Sequence, residues 1–262
     1  MIRAATLVVA STALLAVGAG CGRWSGDRPP PWVEIQPGLS YALADAPAGS
    51  GIPLHLVRFS PQRFTAVVTP ASSLDRAVAV AEDFRRSVGG VVAVNGGYFD
   101  PQLKPLGLLV SQGREISRLR RVDHGVFYLA SGVPGLVHAR DWRPPAGLEF
   151  AVECGPRLVV DGKPLTFKPG FARRVAIGHD AAGRVLLAVT EAELSLAEFA
   201  ERLAQSESRG GPGLVSALNL DGGSSTMLAI AAGDLRVSLA SAVAVPVGLV
   251  VVPRSPVRPV LR

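Results

Sequence analysis

Apolar residues between positions 39 and 253 fall in short, mostly unbroken runs, at 54–59, 64–69, 91–94, 106–110, 126–129, 158–160, 175–177 and 185–189. Unbroken Val, Leu and Ala runs of this length suit strands covered on both faces, which predicts a sheet with other layers packed over it. Two segments carry a helical period instead. Residues 74–88 place Leu74, Val78, Ala81 and Phe84 on one face, with Asp75 near the start and Gly89-Gly90 at the end. Further on, Ser195 caps a second helix, Glu198 completes a capping box three residues later, and Leu196, Phe199, Ala200 and Leu203 form the buried stripe. Gly210-Gly211-Pro212-Gly213 breaks that helix, and residues 214–220 read as another strand. The predicted class is α+β, α/β-like, with a mixed β-sheet core covered by a few helices. No internal repeat or second domain boundary stands out within 39–253, and residues 254–262 read as a flexible tail.

The N-terminus has a different pattern. Met1-Ile2-Arg3 precedes an apolar run over 4–17 and then Gly18-Ala19-Gly20-Cys21, the three parts of an export signal over residues 1–20 and too short a run for a membrane-spanning helix. The small residues before Cys21 resemble the lipobox of bacterial lipoproteins, which implies lipidation of Cys21 and a membrane contact through that lipid. Residues 21–38, with Pro29-Pro30-Pro31, then form a tether with a reach of about 50 Å when extended.

Composition narrows the function classes. Of the 27 basic residues only Lys104, Lys163 and Lys168 are lysines; the arginines are scattered without a polybasic block, and aromatics make up 6% of the chain. That pattern argues against a nucleic-acid partner. The four histidines have no metal-ligand spacing with one another or with cysteine, so no metal or other cofactor is predicted. Besides Cys21 the chain has one cysteine, Cys154, whose apolar surroundings suit a buried small residue or, alternatively, a thiol nucleophile.

The most specific features are two glycine turns at strand ends: Asn95-Gly96-Gly97-Tyr98-Phe99 and Leu220-Asp221-Gly222-Gly223-Ser224-Ser225. Paired glycines permit a positive φ and close approach of a ligand to backbone N–H groups, while a self-bonded tight turn explains the same residues without a ligand. Neither turn is followed by the lysine of a phosphate loop.

With three further stretches in order, these turns resemble the phosphodiester glycosidase domain family over roughly residues 50–252. The stretches are Pro105-Leu106-Gly107-Leu108-Leu109-Val110 through Gly113, Gly155-Pro156-Arg157-Leu158-Val159-Val160-Asp161-Gly162-Lys163, and Arg174 to Gly178. The resemblance implies a glycosidase acting on a sugar-1-phosphodiester in an envelope or extracellular glycan. Such a reaction needs a carboxylate beside an oxocarbenium-like centre and a way to hold the departing phosphate. The implied carboxylate is Asp221, with Glu153 or Glu191 as the second. The N–H groups of Gly222 and Gly223 and the Arg174 guanidinium would bind the anion. Asn95 would bond sugar hydroxyls or orient water, with Gly96, Gly97, Ser224 and Ser225 lining the pocket, and His124 either lines it or makes a structural bond. A lipid-anchored glycan-binding or exopolysaccharide assembly protein without turnover is the alternative.

Overall fold

The unbroken apolar runs become strands because each is covered from both sides. The computed structural model describes residues 29–46 and 50–254, and within them lie twenty strands and two α-helices. An eight-stranded sheet runs in the order Val33–Gln36, Leu39–Asp45, Pro53–Phe59, Val185–Thr190, Val175–Asp180, Leu214–Asn219, Arg157–Val160, Lys163–Pro164. A five-stranded sheet runs Leu235–Leu239, Leu228–Ala232, Val92–Asn95, Val247–Pro253, Phe64–Pro70. A second five-stranded sheet runs Arg114–Ser117, Leu109–Ser111, Leu148–Cys154, Gly125–Ala130, Val133–His138.

These three sheets share one interior. Val57, Phe59, Ile177 and Leu187 from the first, Val94, Leu249 and Val251 from the second, and Phe127, Phe150 and Val152 from the third form a single buried cluster. The alternate residues of the same strands face outward into smaller cores. Leu54, Leu56, Ala188 and Ala217 pack against Phe199, Ala200 and Leu203 of α2, Leu196–Ala204. Val67, Ala93 and Val250 pack against Ala81 and Phe84 of α1, Ala81–Ser87. Each fully buried Phe or Leu contributes about 1.5–3 kcal/mol relative to exposure.

Among the described residues every strand pairing is antiparallel, which corrects the expected mixed sheet. Strand is also far more abundant than helix. Unbroken apolar runs arise here because sheets cover sheets, not because helices flank a parallel sheet. Tight hairpins set the direction: Ser131 and Gly132 both have positive φ, 49° and 73°, between Gly125–Ala130 and Val133–His138. Two positive φ angles match the right-handed twist of a two-residue hairpin.

The helix expected over 74–88 is shorter. A 3₁₀ turn, Ala71–Leu74, ends at Asp75 in the left-handed region, and Ala79 then exchanges backbone hydrogen bonds with Val245 at 2.9 and 3.0 Å. That long-range bridge takes the backbone groups a longer helix needs. The capping box of α2 is formed: Ser195 Oγ accepts from the Glu198 N–H at 3.2 Å and Glu198 accepts from the Ser195 N–H at 3.2 Å.

The tether expected over 21–38 also differs. Val33–Gln36 pairs with Leu39–Asp45, and the Trp32 ring lies 4.0 Å from the guanidinium carbon of Arg58, so the fold begins ahead of residue 39. The strand expected over 106–110 is observed as Leu109–Ser111, since the Leu106 N–H turns back to the Tyr98 carbonyl at 2.7 Å. Residues 1–20, Cys21 and residues 255–262 lie outside the described residues, so the signal, the lipidation site and most of the tail do too. Among the described residues no helix is long and apolar enough to cross a membrane.

Candidate active site

Two strands from different sheets end side by side. Val92–Asn95 delivers Asn95, and Leu214–Asn219 leads into Leu220 and Asp221. The Asn95 amide is fully buried; its Nδ2 donates to the Asp221 carbonyl at 2.6 Å, and its Oδ1 accepts from the Met227 N–H at 3.3 Å. The Asp221 N–H donates to the Gly96 carbonyl at 3.3 Å, so the two turns are laced together in both directions. Asn95 is therefore a clasp within the protein, not the sugar-facing amide that its position suggested.

Asp221 projects from this clasp with its side chain partly exposed. Burial raises its carboxyl above the usual aspartate range, opposed by hydrogen bonds from Ser225 and from the Gly222 N–H, the latter 3.0 Å from Oδ1. The glycine N–H groups are committed elsewhere than expected: Gly222 donates to Asp221 and Gly223 to the Arg173 carbonyl at 2.8 Å. They orient Asp221 and fix its turn; they do not form an anion hole. Gly222 itself is required by crowding, since a Cβ there would sit 2.6 Å from the Arg173 carbonyl oxygen. Gly96 donates its N–H to Val247, and Ser224 offers its carbonyl to Ala242 and Val243.

Beside Asp221 lies a layer to which the motifs assigned no role. The Tyr98 hydroxyl donates to the Gly155 carbonyl at 2.5 Å, and Asn219 Nδ2 donates to the same carbonyl at 2.9 Å and to the Leu220 carbonyl at 2.7 Å. Burial, with the Asp221 charge nearby, raises the Tyr98 phenol, so it stays protonated. Cys154 is fully buried and accepts backbone N–H groups from Gly155 and Tyr98; burial pushes its thiol up to about 12. A protonated, enclosed thiol is no nucleophile. One signal for Asn219 was present: a lone amide inside an apolar strand, two residues before Asp221.

The two proposed second carboxylates part company. The Glu153 side chain is completely enclosed, and Oε2 accepts from the N–H groups of Leu108 and Arg120 at 2.8 and 2.9 Å. Its other oxygen stands 3.5 Å from His124 Nδ1, and the His124 ring packs 5.9 Å from Tyr98. Glu153 and His124 thus form the wall behind Tyr98, and Glu153 is closed off from any substrate. Glu191 is open on one side: its side chain is 41% exposed, and Oε1 lies 2.8 Å from His55 Nε2.

Arg174 differs from the free clamp that was expected. Its Nε donates to the Leu194 carbonyl at 2.8 Å and one terminal nitrogen to the Gly170 carbonyl at 2.7 Å, which leaves a single terminal nitrogen. Arg173 is less committed: one terminal nitrogen reaches the Ala240 carbonyl at 3.1 Å, while Nε and Nη2 are shielded and lack partners. Among the described residues no group of three His, Cys, Asp or Glu side chains is placed to hold a metal. A concavity of about 830 Å³ is at another place, between Phe64–Pro70 and Leu148–Cys154. There Glu149 is already held by Arg254, Thr65 and the Gly132 N–H, a closure of the sheets with no reactive group free.

Residues 89–252 match the family model described as phosphodiester glycosidase. Among curated proteins, the chain is 31% identical over 80 residues to the uncharacterized protein YigE of Escherichia coli (strain K12), a stretch covering 27% of this chain and 32% of that protein. Among solved structures, the fold is similar to the zebrafish N-acetylglucosamine-1-phosphodiester alpha-N-acetylglucosaminidase catalytic domain, described as auto-inhibited by its pro-peptide. The TM-score is 0.63 at 17% identity, covering 82% of this chain and 83% of that one. A hypothetical protein from Synechocystis matches with a TM-score of 0.56 at 18% identity, over 86% of this chain and 64% of that one. A putative exported protein from Burkholderia pseudomallei K96243 matches with a TM-score of 0.53 at 14% identity, over 79% and 76%.

Proposed function

The chain belongs to the phosphodiester glycosidase family, and from that premise we propose that it hydrolyses a glycosyl phosphodiester, with Asp221 as the principal carboxylate. The observation that carries this reading is the clasp between the two glycine turns. It commits a buried amide and four backbone groups to presenting one half-buried carboxylate, an arrangement that packing alone does not require.

In the proposed step, water adds to the anomeric carbon, the bond from that carbon to the phosphate oxygen breaks, and its electron pair leaves with the phosphate monoester. The water's proton passes to a carboxylate. Asp221 stabilises the positive charge that develops on the sugar ring. Arg174 stands next to the Asp221 turn with one terminal guanidinium nitrogen uncommitted, suited to the anionic leaving group. Tyr98 and Asn219 brace the turn, and Ser224, exposed at its tip, meets the substrate rim.

Export with a lipid on Cys21 belongs to the same proposal, supported by the N-terminal pattern and by the exported description of the Burkholderia relative. Labelling of the wild type but not of Cys21→Ser with a radioactive fatty acid would support it. For the reaction, the test is release of sugar from a panel of nucleotide sugars and glycosyl-1-phosphodiesters, beside Asp221→Asn. Turnover that falls at least about 100-fold in the variant with glycan affinity retained supports hydrolysis, because a carboxylate used in the transition state adds little to ground-state binding. Saturable glycan binding without turnover of any panel member would instead support the binding protein.

A further inference from the structure

Glu153 is enclosed, yet one of its oxygens has no partner in the enclosure. Oε2 takes the N–H groups of Leu108 and Arg120 at 2.8 and 2.9 Å, from the two ends of the hairpin formed by Leu109–Ser111 and Arg114–Ser117. Gly107 allows that approach, since a Cβ there would lie 3.0 Å from the Glu153 Cβ and 3.1 Å from its carboxyl carbon. Among the described residues, Oε1 and His124 Nδ1 are both sealed from solvent without a hydrogen bond, and they stand 3.5 Å apart.

Buried polar atoms in native proteins are paired, and one proton on Nδ1, directed at Oε1, pairs these two. The tautomer is assigned from this network. A neutral imidazole with its proton on Nδ1 has an acceptor lone pair on Nε2. The His124 side chain is 23% exposed, and Nε2 is neither sealed nor bonded within the described residues, so the lone pair is on the open side of the ring.

Tyr98 links that open side to Asp221. The His124 ring lies 5.9 Å from the Tyr98 ring and packs on Gly155 so closely that a Cβ there would come within 2.7 Å of its Cδ2. The Gly155 carbonyl accepts from the Tyr98 hydroxyl and from Asn219 Nδ2, which also lies 3.3 Å from that hydroxyl. Asn219 and Asp221 alternate with the interior residues Leu218 and Leu220 and so share the other face of their strand. Ala176 pairs with Asn219, and by the same register Arg174 comes opposite Asp221 on that face. Both the Asp221 carboxylate and the Arg174 guanidinium lie within electrostatic reach of the Tyr98 phenol. Tyr98 thus has His124 against its ring and Asp221 and Arg174 about its hydroxyl, and all four are partly exposed.

We propose that His124 is a substrate-binding residue whose Nε2 accepts a hydrogen bond from a hydroxyl of the sugar held at Asp221, and that Glu153 is the positioning residue that fixes its tautomer. This rests on the glycosyl-substrate reading above. Glu153 acts without touching the sugar, which agrees with its enclosure. An acceptor held in one tautomer selects by sign: it takes an O–H donor and disfavours a sugar that has lost that hydroxyl.

The experiment compares full-length wild type with Glu153→Gln and His124→Ala on UDP-glucose, UDP-galactose and UDP-N-acetylglucosamine and their monodeoxy analogues. Affinity is measured by calorimetry beside sugar release, and folding of each variant by its melting temperature. In Glu153→Gln the amide oxygen still takes the two backbone N–H groups, but the amide NH2 faces Nδ1 and drives the imidazole proton to Nε2. The expected nitrogen NMR shifts place the His124 proton on Nδ1 in the wild type and on Nε2 in Glu153→Gln. One monodeoxy analogue binds the wild type about 10-fold more weakly than its parent, and the same deoxygenation has no effect in His124→Ala. Glu153→Gln weakens the parent sugar by about 10-fold as well. A wild-type proton on Nε2, a folded Glu153→Gln with undiminished affinity, or deoxygenation losses that persist in His124→Ala each overturn the proposal. Turnover that is indifferent to both variants overturns it while sparing the hydrolase reading. The expected binding pattern without turnover supports the role of His124 and sinks hydrolysis. A wild type that binds no member of the panel overturns both.

Discussion

Asn95→Ala tests the clasp most directly. The substitution removes the amide that accepts from Met227 N–H and donates to the Asp221 carbonyl, and both Asn95 and Met227 are essentially sealed from water, at 0% and 1% exposure. Two backbone groups then lose their partners, the Met227 N–H out of reach of solvent and the Asp221 carbonyl on a partly exposed residue. At about 1–3 kcal/mol for each unsatisfied group, the loss is about 2–6 kcal/mol, a large fraction of the 5–15 kcal/mol typical of a domain. With a urea slope of about 3 kcal/mol per molar, the unfolding midpoint falls by about 0.7–2 M. Asn95→Asp separates the two bonds: it keeps an acceptor for Met227 but sets a second acceptor against the Asp221 carbonyl, so it should be at least as damaging. Equilibrium urea unfolding followed by tryptophan fluorescence reads both variants. A midpoint within about 0.3 M of wild type in Asn95→Ala, at an unchanged slope, would refute the clasp and return Asn95 to a substrate-facing role.

Three further outcomes follow from particular contacts. Gly248→Ala places a Cβ 2.4 Å from the buried Phe84 ring, so α1 must shift; a cost of about 1–3 kcal/mol should appear as a lower melting temperature, and an unchanged one would contradict the packing. Because burial raises the Asp221 carboxyl in the folded state, its ionisation costs stability: the stabilising contribution is complete below the ordinary aspartate range and is lost as pH rises through the raised value. Asp221→Asn should therefore melt higher than wild type at neutral pH and lose that advantage in acid; a pH-independent difference would contradict the burial term. Cys154, with its thiol near 12, should resist iodoacetamide at pH 8 in the native protein and react on unfolding, as followed by mass of the Cys154 peptide; rapid native labelling would refute its enclosure.

What was legible in the sequence depended on range. The capping box at Ser195 and Glu198 is local, and it formed as read. The helix over 74–88 failed because Ala79 answers to Val245, a partner that no local period reveals. Strand direction failed for a related reason: an apolar run records that both faces are covered, not whether a helix or a second sheet covers them. At the site, the glycine turns were readable as motifs, but the assignment of their hydrogen bonds was not. Asn95 was known to stand at a strand end, yet only the meeting of two sheets shows that its amide is consumed by Asp221. Arg174 and Arg173 are adjacent in the chain, and the alternation of a strand end gave no sign of which one was bound by backbone carbonyls. His55 looked like an isolated histidine because its partners Tyr41 and Glu191 come from strands on either side of it.

The position of Val247–Pro253 has a consequence for how the chain is made. This strand lies between Val92–Asn95 and Phe64–Pro70, and among the described residues it is the only sheet neighbour of Phe64–Pro70. At ribosomal rates of about 5–20 residues per second, the partners wait on the order of 10–30 s after emerging before the strand that joins them exists. During that time one sheet is split, with bare backbone edges facing each other across a gap. Synthesis and folding are thereby ordered: the interior closes only once residues 247–253 have been made, and a chain stopped short of residue 247 has no latch. The architecture thus defers the locking of Asn95 and Asp221 into one piece until the strand at 247–253 is in place.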